Sequence, residues 1–168
     1  MIPVTLMMAI TLDGKIAKNS SHFANWTSPE DKKIFRQVSK EFRVFMVGEN
    51  TFKTFPSPLP GRLNVVFSRE KESKQEGDLK YVQGDPKIVL KELENMGYTK
   101  ALLCGGTNLN SLFLKNKLIT EMIITIEPKI FGSGLDLFNF NFNADLELEN
   151  FEKINNNSLN LKYKVSYN

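Results

Sequence analysis

Ala101-Leu102-Leu103-Cys104-Gly105-Gly106-Thr107 runs four apolar residues directly into a pair of glycines. An apolar run with no polar alternation predicts a strand covered on both faces, the environment of a parallel sheet. Parallel neighbours need crossovers, and a helix over residues 108–116 follows. Val44-Phe45-Met46-Val47-Gly48 repeats the arrangement, with a short helix over 49–55 that stops at Pro56.

Working outward, residues 2–10 form a first buried strand, followed by a turn at Asp13-Gly14 and a loop over 18–25. A helix runs from about residue 29 to 41, and Leu63-Asn64-Val65-Val66-Phe67 is a further strand. Residues 69–79 are charged and loop-like, with a weak strand at Tyr81-Val82. Asp85-Pro86 opens a helix whose apolar set is Val89, Leu90, Leu93 and Met96, closed by Gly97. A long strand over 120–127 follows, and Leu137 to Phe142 alternates Phe with Asn as an edge strand would. Residues flanking Asn155-Asn156-Asn157-Ser158 alternate apolar and polar, which predicts an antiparallel hairpin. The fold class is therefore α/β: a mostly parallel central sheet flanked by helices, with a C-terminal antiparallel hairpin.

At 168 residues, 41% of them hydrophobic, the chain has the material for one well-buried core, and residues 1–168 are read as one domain. A net charge of +3 favours anionic small molecules slightly but is too small for a nucleic-acid footprint, so no nucleic-acid partner is expected. Cys104 is the only cysteine, which excludes an internal disulfide and a Cys-based zinc site. The single histidine, His22, lies in a polar Asn-Ser-Ser-His loop and is read as a surface residue, so no metal site is expected. The apolar N-terminus lacks a basic leader and is too short to span a bilayer, which predicts a cytoplasmic protein without a membrane anchor. The Phe138/Phe140/Phe142 cluster suits either core or interface, leaving a homodimer open.

Asp31 is the first candidate for chemistry. In Trp26-Thr27-Ser28-Pro29-Glu30-Asp31 a hydroxyl caps a helix, proline suits its first turn, and Asp31 falls where a capping box is completed. At 100° per residue Asp31 also lies on the stripe of Phe35, Val38 and Phe42, aimed at a core. A carboxylate there is costly unless hydrogen-bonded or paired, so it is either a plain cap or a group that binds ligand and handles protons.

In such sheets ligands sit at the carboxyl ends of the strands, which gathers the Gly48 loop, Ser68-Arg69 and the Gly105-Gly106 turn. Glycines before a helix admit a phosphate close to the backbone, although glycine also serves such turns for steric reasons alone. Two such turns favour a dinucleotide. Arg69 supplies a cation for a phosphate or is a solvated loop charge beside Glu70 and Lys71. Arg62, after the stiff Pro58-Leu59-Pro60-Gly61, suits bidentate carboxylate recognition or an ion pair with a surface Glu.

These residues together resemble the dihydrofolate reductase family, within the superfamily that includes the riboflavin-pathway reductase domain. The resemblance spans nearly the whole chain: Trp26 with Asp31 and Phe35, Val47-Gly48 with Thr51-Phe52, Pro58-Leu59-Pro60-Gly61-Arg62 with Asn64, Ser68-Arg69, and Gly105-Gly106. It implies a dihydrofolate-reductase-like fold and hydride transfer from NADPH to C6 of a pterin, with 7,8-dihydrofolate as small-molecule substrate. It also implies that Asp31, partnered by Thr125, binds the pterin and promotes protonation at N5. Ala9, Phe35, Phe55 and Leu59 would wall the substrate, and Arg62 would grip its glutamate carboxylate. Ala9, Ile16, Gly48, Thr51, Ser68, Arg69, Gly105, Gly106 and Thr107 would line the cofactor.

The departures are Glu49, where the family often places an Arg on the 2′-phosphate of NADPH, and Asn110, where many members have Tyr. Leu12-Asp13-Gly14-Lys15-Ile16-Ala17 and Glu127-Pro128-Lys129-Ile130-Phe131-Gly132-Ser133-Gly134 look more like the riboflavin-pathway branch. Reduction of a ribosylamino-pyrimidine 5′-phosphate is therefore the alternative, ahead of a nucleotide-binding module without turnover. That branch usually carries an Asp-x-Pro-x-Leu-Thr-x-Arg pattern, which residues 52–63 lack.

Overall fold

The structure is a computed structural model that describes residues 1–167. The chain begins with β1 (Val4–Thr11) and β2 (Lys15–Ala17), then a 3₁₀ turn (Ala24–Trp26) and α1 (Pro29–Phe42). β3 (Val44–Gly48), α2 (Glu49–Phe52), β4 (Leu63–Phe67), β5 (Lys74–Glu76), β6 (Leu79–Val82) and α3 (Pro86–Asn95) follow. The last part holds β7 (Ala101–Leu103), α4 (Thr107–Lys115), β8 (Ile119–Glu127), β9 (Leu135–Asp136), β10 (Asp145–Lys153) and β11 (Leu159–Ser166).

Nine strands form one sheet in the order β10-β11-β8-β1-β7-β3-β4-β6-β5, and β2 pairs with β9 in a small separate ribbon. Every pairing from β8 through β6 is parallel, while β11 on β8, β10 on β11 and β5 on β6 are antiparallel. The central strands are apolar because both faces are covered: Val44 to Val47 and Ala101 to Leu103 are wholly buried. One face carries Val4, Leu6, Met46, Leu90, Leu93 and Phe113; the other carries Met7, Phe45, Val47, Val66 and Leu102 beneath α1.

The predicted mixed α/β fold with its C-terminal hairpin is the one observed, and four local expectations change. Residues 74–76, read as loop, form β5; they are exposed and charged, so no apolar period marks them, and pairing with β6 supplies their hydrogen bonds. Leu137 to Phe142 is not a strand. Its backbone is held instead by α4 side chains, Asn110 Nδ2 donating to Leu137 O (3.2 Å) and Ser111 Oγ accepting from Asn139 N (3.0 Å). Leu137, Phe138, Phe140 and Phe142 pack back onto the chain's own core. The helix over 49–55 closes already at Phe52, and Met96 falls at the exposed C-cap of α3 rather than in its buried set.

Candidate active site

Ser28 caps α1, its Oγ accepting the Asp31 N–H at 3.2 Å, and Pro29 takes the first helical position. The Asp31 side chain does not complete the box: it turns inward and is 8% exposed. Of the whole helix only Asp31 and Ser39 are buried, while Ile34, Phe35, Val38 and Phe42 stay half exposed. The face of α1 that packs on the sheet thus carries a buried polar residue as anchor near each end, with partly exposed apolar side chains between them.

Burial raises the Asp31 pKa, and the negative charge of Glu127 adds to the effect; hydrogen bonds from Thr125 and Thr27 and the nearby Lys32 oppose it. The Thr125 hydroxyl is oriented, since Asn160 Nδ2 donates to its oxygen at 3.0 Å and leaves the hydroxyl proton to point at Asp31. Ala9 lies directly across the β1–β8 ladder from Thr125.

At the other anchor Arg62 is 9% exposed. Its Nε donates to Pro60 O (3.1 Å) and Nη1 to Ser39 Oγ (2.5 Å), and among the described residues no carboxylate pairs with it. Asn64, fully buried, stiffens the preceding loop: its Nδ2 donates to Leu59 O (2.9 Å) and Arg62 O (2.8 Å), and its Oδ1 accepts Leu59 N–H (2.8 Å). Between the anchors stand Phe35, Phe55 and Leu59. The Phe35 and Phe55 rings are 6.3 Å apart and both stack edgewise on Phe45.

The second cluster forms where β3, β4 and β7 end. Gly48 N–H donates to Gly105 O at 2.8 Å, and the Gly105–Gly106 peptide is cis. A Cβ on residue 106 would lie 2.9 Å from Thr51 Oγ1, and one on residue 105 would meet the Met8 side chain at 3.1 Å. The two glycines therefore keep a bare backbone cradle, which fits the pyrophosphate of a dinucleotide. Ser68 donates its hydroxyl to Glu49 and accepts N–H groups from Glu70 (3.1 Å) and Lys71 (2.9 Å). That bond, with Lys53 at 3.3 Å from Glu49, holds the Glu49 carboxyl below its usual pKa.

Among the sequence-predicted residues, Asp31, Thr125 and Ala9 come together, as do Phe35, Phe55, Leu59 and Arg62, and Gly48, Thr51, Gly105 and Gly106. Arg69 is exposed. Ile16 sits on β2 beside β9, and Thr107 turns its hydroxyl to Asp136 O (2.5 Å), away from the role of free phosphate donor. Asn110 is fully buried, and among the described residues its Oδ1 has no hydrogen-bond partner. His22 is half-buried, its ring stacked with Trp26 around Phe131 (5.6 and 5.1 Å) and its Nδ1 accepting from Lys18 N. A hollow of about 470 Å³ lies at the β5–β6 edge between Lys71 and Tyr81; its rim is charged and exposed, and it holds none of these residues.

Sequence reasoning missed Ser39, Asn160 and Glu127. The period-two rule offered one signal, because Thr125 and Glu127 must share a face of β8. Nothing local marked Ser39 or Asn160, whose partners lie 23 and 35 residues away. Among the described residues no group of His, Cys, Asp or Glu is placed to hold a metal ion, and no helix is long and apolar enough to cross a membrane.

A family model for dihydrofolate reductase matches residues 3–166, and the chain belongs to that family. Among relatives, a putative dihydrofolate reductase of Caenorhabditis elegans is 25% identical over 95% of this chain and 94% of its own length. The solved RibD of Acinetobacter baumannii superposes with a TM-score of 0.84 at 18% identity over 99% of this chain and 58% of that one. Dihydrofolate reductase from Enterococcus faecalis, complexed with NADP(H) and RAB-propyl, superposes with a TM-score of 0.75 at 16% identity over 97% and 96% of the two chains. The fold is thus shared with riboflavin-pathway reductases, and members of the family are reductases that use a nicotinamide cofactor.

Proposed function

We propose that the protein reduces a pterin, 7,8-dihydrofolate to tetrahydrofolate, with NADPH as the hydride donor. One observation carries this reading: a buried acid and a buried, carboxylate-free arginine flank the same helix with an apolar wall between them. Asp31 and Ser39, which holds Arg62, are separated by about 12 Å of helix axis. A carboxylate on one side of a flat heterocycle suits its ring N–H and amino donors, and a guanidinium suits a carboxylate at the far end. Phe35, Phe55 and Leu59 give an aryl bridge a surface. They offer nothing to the sugar hydroxyls of a ribosylamino-pyrimidine phosphate, which ranks that substrate second.

A nicotinamide cofactor held at the glycine pair would supply the hydride for C6 of the pterin. Asp31, whose hold on a proton burial strengthens, fixes the ring and lets a proton reach N5. Thr125, aligned by Asn160, orients the carboxyl; the Phe35–Phe55 wall limits water. Gly48, Gly105 and Gly106 with Thr51 cradle the dinucleotide. Because Ser68 is engaged by Glu49, discrimination in favour of a 2′-phosphate falls to Arg69, so the preference for NADPH over NADH is expected to be modest.

The test is loss of reduced-nicotinamide absorbance with purified protein, NADPH and dihydrofolate. Turnover blocked by an antifolate supports the reading. NADPH binding without dihydrofolate turnover moves the assignment to the ribosylamino-pyrimidine phosphate, tried next, and failure with both leaves a binding module.

A further inference from the structure

Glu127 is a second buried carboxylate beside the acid, 2% exposed, and the reading above gives it no task. Both its oxygens are engaged: Oε1 accepts the Ser28 backbone N–H at 2.7 Å, and Oε2 accepts the Ser158 hydroxyl at 2.7 Å. Ser28 is the cap whose Oγ receives the Asp31 N–H, so Glu127 holds the point from which Asp31 hangs. Among the described residues no cation pairs with it. A carboxylate buried without a cation is costly. A glutamine would accept the Ser28 N–H at Oε1 and donate from Nε2 to the Ser158 hydroxyl oxygen with no charge to desolvate, so a structural tie alone does not account for an acid at this position.

We propose that Glu127 is a positioning residue: its grip on the Ser28 cap aims Asp31, and its carboxyl group stands beside that acid as a like-charged neighbour. The inference rests on Asp31 being the proton-handling group. Behind burial, the Glu127 charge is the remaining influence that raises the Asp31 pKa. Few other charges face the pair. Lys32 on α1 acts in the opposite sense, while Glu30 is turned to Asn155 Nδ2 at 3.2 Å. From β1 come Ala9 and, opposite Glu127, Thr11, which donates its hydroxyl to Asp13 (2.5 Å); from the β10–β11 hairpin come Ser158 and Asn160, so the Asp13 carboxylate is the one titratable group these contacts add.

The experiment is a carboxyl-carbon NMR titration of the full, ligand-free chain, with Asp31 assigned by the signal lost in Asp31→Asn. In Glu127→Gln the Asp31 midpoint should fall by about half to one pH unit, the scale of one nearby like charge in a partly solvated site. An unmoved midpoint overturns the proposal. Should Glu127→Gln not fold, Glu127→Asp decides: the shorter side chain draws the carboxylate back from Ser28, so the Asp31 midpoint should fall by a smaller amount, and an unmoved midpoint overturns the proposal. Where dihydrofolate is turned over, the pH at half-maximal kcat should move down with the NMR midpoint. A uniform loss of kcat at an unmoved midpoint would reduce Glu127 to a structural tie. Absence of turnover in the unmutated protein would refute the proposed reaction and leave the titration result standing, so the two failures are separable.

Discussion

Asp31→Asn should stop the enzyme and stabilise the protein. The side chain is 8% exposed, and burial makes its ionised form harder to keep in the fold than in the unfolded chain. With the folded pKa above the ordinary 3.8, the native state holds the proton longer than the unfolded state. Stability therefore falls as pH rises from the unfolded value to the raised folded one, then levels off. Asn removes that loss, worth about 1.4 kcal/mol for every unit of elevation. Against this stands the carboxylate's favourable place in the first turn of α1, about 0.5 kcal/mol in such settings. The Thr27 and Thr125 hydroxyls can rotate to serve an amide, so no buried partner is stranded.

For an elevation of one unit or more, burial wins. Near neutral pH the variant should then melt about 2–4 °C higher for each kcal/mol gained. Below about pH 4 the gain should vanish or reverse, since both states of the unmutated protein are then protonated. Turnover at neutral pH should fall about 10²–10⁴-fold. Paired denaturant titrations across that pH range are the assay. A variant less stable at neutral pH, or a stability difference that does not change with pH, would refute the argument that Asp31 is strained by burial.

Three further outcomes test the remaining parts of the site. Arg62→Leu should raise the KM for dihydrofolate about 10–100-fold, the cost of removing one partner of a buried carboxylate clamp, with NADPH affinity within about threefold; equal effects on both ligands would make Arg62 structural. Gly106→Ala places a Cβ 2.9 Å from Thr51 Oγ1, so calorimetry should show dinucleotide affinity reduced about tenfold or more while the circular dichroism spectrum stays unchanged. Glu49→Gln removes the charge that engages Ser68, and should tighten NADPH relative to NADH by about 3–10-fold, again by calorimetry; an unchanged ratio would place the 2′-group elsewhere.

The parallel core was readable because burial on both faces writes itself as unbroken apolar runs, as in Val44 to Val47 and Ala101 to Leu103. Asp31 was readable because an acid on an apolar helical stripe breaks a local rule. β5 was not, since an exposed strand of Lys, Gln and Glu earns its pairing from β6 and not from its own residues. Residues 137–142 misled in the opposite sense: their period-two pattern matches an edge strand, but α4 side chains capture the backbone. The surroundings of the acid were least legible. Ser158 reaches Glu127 and Asn160 reaches Thr125 only through the register of β11 on β8, which no single segment encodes.

That register also sets a schedule. β11 lies inside the sheet, between β8 and β10, although it is the last strand along the chain. A nascent chain emerging from a ribosome can assemble β1, β3, β4 and β7, and with them the glycine cradle, well before β11 exists. Until residues 158–160 arrive, Glu127 lacks its Ser158 donor, Thr125 is not yet aligned, and the edge of β8 is bare. The contacts around Gly48, Gly105 and Gly106 need only residues up to 106, whereas those around Asp31 wait for residues 158–160.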